Sequence, residues 1–154
     1  MKEFFTRAAA NNGRRLKLTL PSGEPSEHWL HIIGIDSDTF RKAQAIQHRN
    51  TMEASSSVDA GDITQEEAED AYDTSRTALI SSLITEWSFD KPCNPKAVIK
   101  FLTEAPQIAT AVNLFAGTRK EFFSVGSEDY TDTQKGKKPS TVLSPDPNLV
   151  KEAT

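Results

Sequence analysis

Residues 76–123 read RTALISSLITEWSFDKPCNPKAVIKFLTEAPQIATAVNLFAGTRKEFF, and the fold turns on them. Leu79, Leu83 and Trp87 recur near helical spacing, with Ile80 and Ile84 widening the stripe, which predicts a buried helical face. Asn94-Pro95 pairs a capping side chain with proline at the first helical position. Val98, Ile99, Phe101 and Leu102 then give the next helix its inward face. Pro106 has no place in that helix's interior and disfavours helical geometry at Ala105, so the chain bends there. A last helix follows with Ile108, Val112, Phe115 and Phe122 near one face.

Upstream, Thr64-Gln65-Glu66-Glu67 matches a capping box and opens a long helix expected to reach about Glu86. Ser55-Ser56-Ser57 and Gly61 predict a flexible break before it. Asp36-Ser37-Asp38 reads as the start of an earlier helix, running from Ser37 to about Met52. Arg14 to Leu20 alternates, Leu16, Leu18 and Leu20 on one face and Arg15, Lys17 and Thr19 on the other. A turn-rich stretch, Pro21 to Ser26, leads to a second strand over Trp29–Ile35, giving a hairpin. Residues 1–12 suit a short helix anchored by Phe4 and Phe5. The fold class expected is therefore α+β, mostly α: an N-terminal β-hairpin packed on a bundle of about four helices. After Val125 large apolar residues are scarce and Pro139, Pro145 and Pro147 interrupt the chain. That predicts one domain over residues 1–125 and a flexible C-terminal tail over 126–154.

Composition narrows the function. Only 36% of the residues are hydrophobic and the mean hydropathy is −0.52, so a core forms only if part of the chain stays outside it. A net charge of −4 speaks against a general binder of nucleic-acid backbones, which works by neutralising phosphates. No apolar run is long enough for a bilayer, and Thr6 and Arg7 interrupt the N-terminal apolar start, so neither a membrane nor a leader segment is expected. A single cysteine, Cys93, makes no internal disulfide and fits a reducing cytoplasm.

Reactive side chains are few. His28 and His31 would fall on opposite faces of a strand, without the carboxylates or thiols of a metal site. Cys93 with distant His48 makes a poor nucleophile–base pair, and a lone cysteine beside a proline loop reads as inert. The acidic run Asp62, Glu66, Glu67, Glu69, Asp70, Asp73 lacks the spacing of a calcium loop and reads as a solvated helix face, or as a surface for a basic partner. Gly34, Gly61, Gly117 and Gly126 form no phosphate-cradling loop. No catalytic residue, metal or cofactor is expected. The residues chosen as candidates for partner binding are Trp87, Phe89, Phe115, Phe122 and Phe123; the adjacent pair Phe122-Phe123 cannot both point inward from one helix. Lys135, Lys137 and Lys138 form a basic cluster in an acidic chain, suited to steering an acidic partner.

The order of features carries a resemblance. Phe4-Phe5 leads to Ala10-Asn11-Asn12-Gly13-Arg14, then Leu18-Thr19-Leu20-Pro21-Ser22-Gly23, Glu27-His28-Trp29-Leu30 and Gly34-Ile35-Asp36-Ser37-Asp38-Thr39-Phe40-Arg41. Glu86-Trp87-Ser88, Phe101-Leu102, Pro106 and Arg119-Lys120-Glu121-Phe122-Phe123 complete the set. Over residues 1–125 this resembles the tail assembly chaperones of long-tailed bacteriophages, of the siphophage type. The resemblance implies a non-catalytic protein of the host cell cytoplasm, absent from finished particles. Its implied partners are the tape measure protein and the tail tube (major tail) protein. Family members are often made in two lengths by a ribosomal frameshift. The resemblance thus implies a short form, with partnership to itself or to a longer frameshifted form. The rival expectation is a structural minor tail component, such as a tail completion or terminator subunit, retained in the virion.

Overall fold

The computed structural model describes residues 1–123 and 130–132. The chain is α+β and mostly α, with its N-terminal hairpin packed against helices. A 3₁₀ turn at Lys2–Phe4 precedes α1 (Arg7–Asn12), and β1 (Arg14–Thr19) and β2 (Pro25–Ile32) follow. Next come α2 (Asp38–Asp59), α3 (Gln65–Ser81), β3 (Ile84–Trp87), α4 (Pro95–Glu104) and α5 (Pro106–Gly117). A second 3₁₀ turn spans Arg119–Phe122, and β4 covers Tyr130–Asp132. The sheet runs β3-β2-β1-β4, antiparallel except for β4, which lies parallel to β1.

Period-two burial fixes the sheet's register. Leu16 pairs with Leu30 and Arg14 with Ile32, and Leu16, Leu18, Leu30 and Ile32 are all buried beneath the helices. Arg15, Lys17, Trp29 and His31 take the other face, where the Arg15 guanidinium lies 4.1 Å from the Trp29 ring centre. The pairing slips between Lys17 and Thr19, and the Ser26 hydroxyl donates to the Leu18 carbonyl at 2.8 Å beside that slip. Val98, Leu102, Ile108 and Val112 close the core from α4 and α5, with Leu83 fully buried between. Each such side chain stabilises the fold by about 1.5–3 kcal/mol.

The caps expected from the sequence form. Ser37 accepts from the Phe40 amide, Thr64 and Glu67 make the reciprocal capping box, and Asn94 accepts from Ala97 with Pro95 at the first position. Pro106 opens α5, so the chain turns at Ala105.

Other expectations need correction. The helix opening at Thr64 stops at Ser81 rather than near Glu86, and Ile84–Trp87 becomes β3. The free edge of β2 takes these residues, pairing Ile32 with Ile84 and Leu30 with Trp87; a register shift between His31 and Ile32 lets Ile84 and Trp87, a helical spacing apart, pair with alternate residues of β2. The helix opening at Ser37 passes through Ser55-Ser56-Ser57 to Asp59, and the turn falls at Gly61, whose φ of 77° provides the left-handed step. The hairpin's second strand starts earlier and ends at Ile32. The last helix stops at Gly117, so Phe122 and Phe123 lie beyond it. Phe4 and Phe5 anchor nothing: they are 78% and 61% exposed, and Ala10 is the buried residue of that segment. The expected tail falls mostly outside the described residues, and Tyr130–Asp132 within it form β4.

The run from Ile33 to Asp38 ties these pieces together. The Ile33 amide donates to the Leu83 carbonyl (2.9 Å), the Gly34 amide to Ala10 (2.9 Å) and the Ile35 amide to Ala116 (3.2 Å). Gly34 is held there by contact, because a Cβ would come within 2.9 Å of the Ala10 Cβ. Gly13 is held by both contact and conformation: its φ of 69° and ψ of −176° suit glycine alone, and a Cβ would sit 2.6 Å from the Ile32 carbonyl oxygen.

Gly13→Ala is therefore expected to cost about 2 kcal/mol or more, from backbone strain and the clash together. Gly117→Ala, whose Cβ would meet nothing, is expected to be neutral within about 0.5 kcal/mol. Chemical denaturation of both variants checks this; equal losses would refute the assignment.

Candidate interaction surface

Two aromatic groups flank the body. Trp87 leaves β3 on the core side of the sheet and meets Phe89 at 5.3 Å and Phe101 of α4 at 6.0 Å, both edge-on. Phe89 lies 5.2 Å from Phe101 and 4.6 Å from the His28 ring. All four rings except the exposed His28 are half-buried, and the Trp87 indole N–H donates to the Lys91 carbonyl at 2.6 Å. The Ser88 hydroxyl accepts from the Trp29 amide at 2.9 Å, which fixes the loop that carries Phe89. Trp87 and Phe89 thus form a half-buried aromatic wall at the β3 edge of the sheet.

The second group separates the other candidates. Phe115 is buried, at 6% exposure, and Phe122 packs edge-on against it at 5.5 Å. Phe123 is 48% exposed. Phe123 and Thr6 line one shallow depression together with Gly34, Ala116 and Arg119. Phe4 and Phe5, just before Thr6 in the chain, are more exposed still. The sequence reading missed Phe4 and Phe5 as surface residues because adjacent phenylalanines look like an anchor.

Ion pairs frame this side. Arg119 makes two hydrogen bonds to Asp36, at 2.7 and 2.9 Å, and Arg7 and Asn11 bond the Asp38 carboxylate. The Arg119 guanidinium holds the Asp36 carboxyl below its ordinary value against a smaller desolvation effect, and Thr6 adds a hydrogen bond. Arg7 does the same for Asp38. At the tip of α3 the Thr64 amide holds Glu67 low.

The remaining reactive groups are dispersed. His28 pairs with the Ser88 hydroxyl and His31 with Thr85, across the β2–β3 seam. His48 stands exposed on α2, whereas Cys93 is half-buried against the core. Burial, then the nearby Glu86 charge, pushes the Cys93 thiol up, which disfavours the reactive thiolate. Among the described residues no three His, Cys, Asp or Glu side chains are placed to hold a metal ion. Likewise no described helix is long and apolar enough to cross a membrane. The Lys135–Lys138 cluster lies outside the described residues. Comparison with protein-family models, with curated proteins and with solved structures finds no match to this chain.

Two outcomes are expected. A carboxyl held low in the fold stabilises it above the ordinary carboxylate range and loses that contribution as pH falls through the lowered value. Arg119→Ala removes the main cause, so acid unfolding followed by circular dichroism is expected to begin at higher pH; an unchanged midpoint would show that the pair contributes nothing. Trp87→Ala should cost about 2–3 kcal/mol, less than a fully buried tryptophan, because part of the indole faces solvent. Wild-type melting would mean that the wall is ornamental to the core.

Proposed function

We propose that this chain is a tail assembly chaperone of a long-tailed bacteriophage. In this reading it binds the tape measure protein and assists recruitment of tail tube subunits, in the host cytoplasm, and leaves before the particle is complete. The ordered set of sequence features supports the family. The observation that carries a binding role is the exposure of three large phenylalanines, Phe4, Phe5 and Phe123, none of which joins the core. Large phenylalanines kept in water cost free energy unless another chain covers them. A tape measure protein exposes apolar helical stripes before the tube encloses it, and such stripes fit shallow apolar surfaces through anchors at i, i+3, i+4 and i+7. Several weak contacts also permit release when the tube polymerises. The half-buried Trp87–Phe89 wall offers a second contact of the same kind.

The test is affinity capture from phage-infected cells, with captured chains and purified particles both identified by mass spectrometry. Capture of the tape measure chain, with this protein missing from particles, supports the chaperone. A fixed copy number in particles makes it a structural minor tail component instead. Phe4→Ser with Phe123→Ser is expected to lower tape measure capture by about tenfold, with a melting temperature within a few degrees of wild type. Undiminished capture would place the contact elsewhere.

A further inference from the structure

From Arg41 to Leu79 no residue is buried. Over that span α2 and α3 form an antiparallel arm about 33 Å long, held to the body through Phe40, Ile80 and the first turn of α2. Their facing sides are small or polar: Ala43, Gln47 and Ala54 on α2, and Ala68, Ser75 and Ala78 on α3. These side chains fill little space, and a solvent-open groove of about 1040 Å³ runs along the pair. Ile46 and Tyr72 line it and remain 53% and 44% exposed. Helices gain most of their stability from burying an apolar face, and this arm buries almost none on its own.

Charge is divided along the arm. The distal part carries Asp59, Asp62, Glu66, Glu67, Glu69 and Asp70, all exposed, against Arg49. The part nearest the body carries Arg41, Lys42 and Arg76, exposed and in no salt bridge among the described residues, against Asp73 and against Asp38, which Arg7 already pairs. We infer that the groove is covered by the arm of a second copy of this chain, laid antiparallel to form a four-helix bundle. Antiparallel placement sets each acidic tip on the other copy's basic base, at both ends at once. Parallel placement would set acid on acid. A helix of uniform charge would match one end of the arm and be repelled by the other.

The twofold arrangement also closes, giving a finite dimer rather than a filament. Ile46 and Tyr72 lie about 12–14 Å from the base by helical rise, close to the midpoint, so the two copies bring them together around the axis. The inference is independent of the chaperone reading, because it needs only this chain.

Sedimentation of the full chain over a range of concentration and salt tests it. A monomer–dimer equilibrium is expected, weakening by about tenfold or more from low to high salt as the tip-to-base attraction is screened. Two charge-reversed variants, Arg41→Glu/Lys42→Glu and Asp62→Lys/Glu66→Lys/Glu69→Lys/Asp70→Lys, should each be monomeric, since each sets like charges together. Mixed in equal amounts they should dimerise, because the acidic base of one variant then meets the basic tip of the other, and its acidic tip the other's basic base. Recovery in the mixture also shows that neither variant is misfolded. A wild type that stays monomeric at every salt concentration overturns the inference. So does a dimer that both reversals leave intact, or a mixture that stays monomeric, including one whose arm is covered only when a foreign helix is added.

Discussion

Three consecutive backbone amides, at Ile33, Gly34 and Ile35, hold the structure together. Each donates to a different element: the residue before β3, the body of α1 and the end of α5. Such groups cost free energy if buried without a partner, so the chain leaving β2 must find all three acceptors together. Side chains of the next three residues extend the junction: Asp36 takes Arg119, Ser37 caps α2 and Asp38 takes Arg7 with Asn11. Gly34 lies at its centre because Ala10 leaves no room for a side chain. Segments distant in the chain meet there: Thr6, just before α1, and Arg119, after α5, both bond Asp36.

The parts of the fold legible in the sequence are those set by neighbours within a turn. Ser37, Thr64, Asn94-Pro95 and Pro106 each mark a boundary through local hydrogen bonds or ring sterics, and each lies where its chemistry requires. The hairpin was legible from alternation alone. β3 was not, because its partner edge lies more than fifty residues earlier in the chain and Ile80, Leu83, Ile84 and Trp87 satisfy a helical spacing equally well. Among the aromatic residues, the adjacency of Phe122 and Phe123 told in advance that both could not point inward. Phe115 lies in the core and Phe122 packs edge-on against it, while Phe123 is left on the surface. Phe4 and Phe5 look like core residues by composition, and nothing local reveals that Ala10 occupies the place against the body.

The surfaces fall into two chemical kinds, and their separation follows from the junction. Phe123 lines an apolar depression with Thr6 and Arg119 at the junction, and Phe4 and Phe5 are exposed in the segment that leads to Thr6. The arm begins at the same junction, since Ser37 caps α2, but beyond Phe40 it is polar, acidic at its tip and free of buried residues. An apolar surface on a rigid body binds by burial and depends little on salt. A charged arm associates through screened electrostatics and responds strongly to salt. If two arms pair through their tips and bases, the two apolar faces are carried on one finite body, and a long helical partner meets two weak sites rather than one. Linked weak sites hold a chain more firmly than either alone, while each contact still opens quickly. In the proposed chaperone role, a transient cover over a long helix would draw on that combination, which neither surface provides by itself.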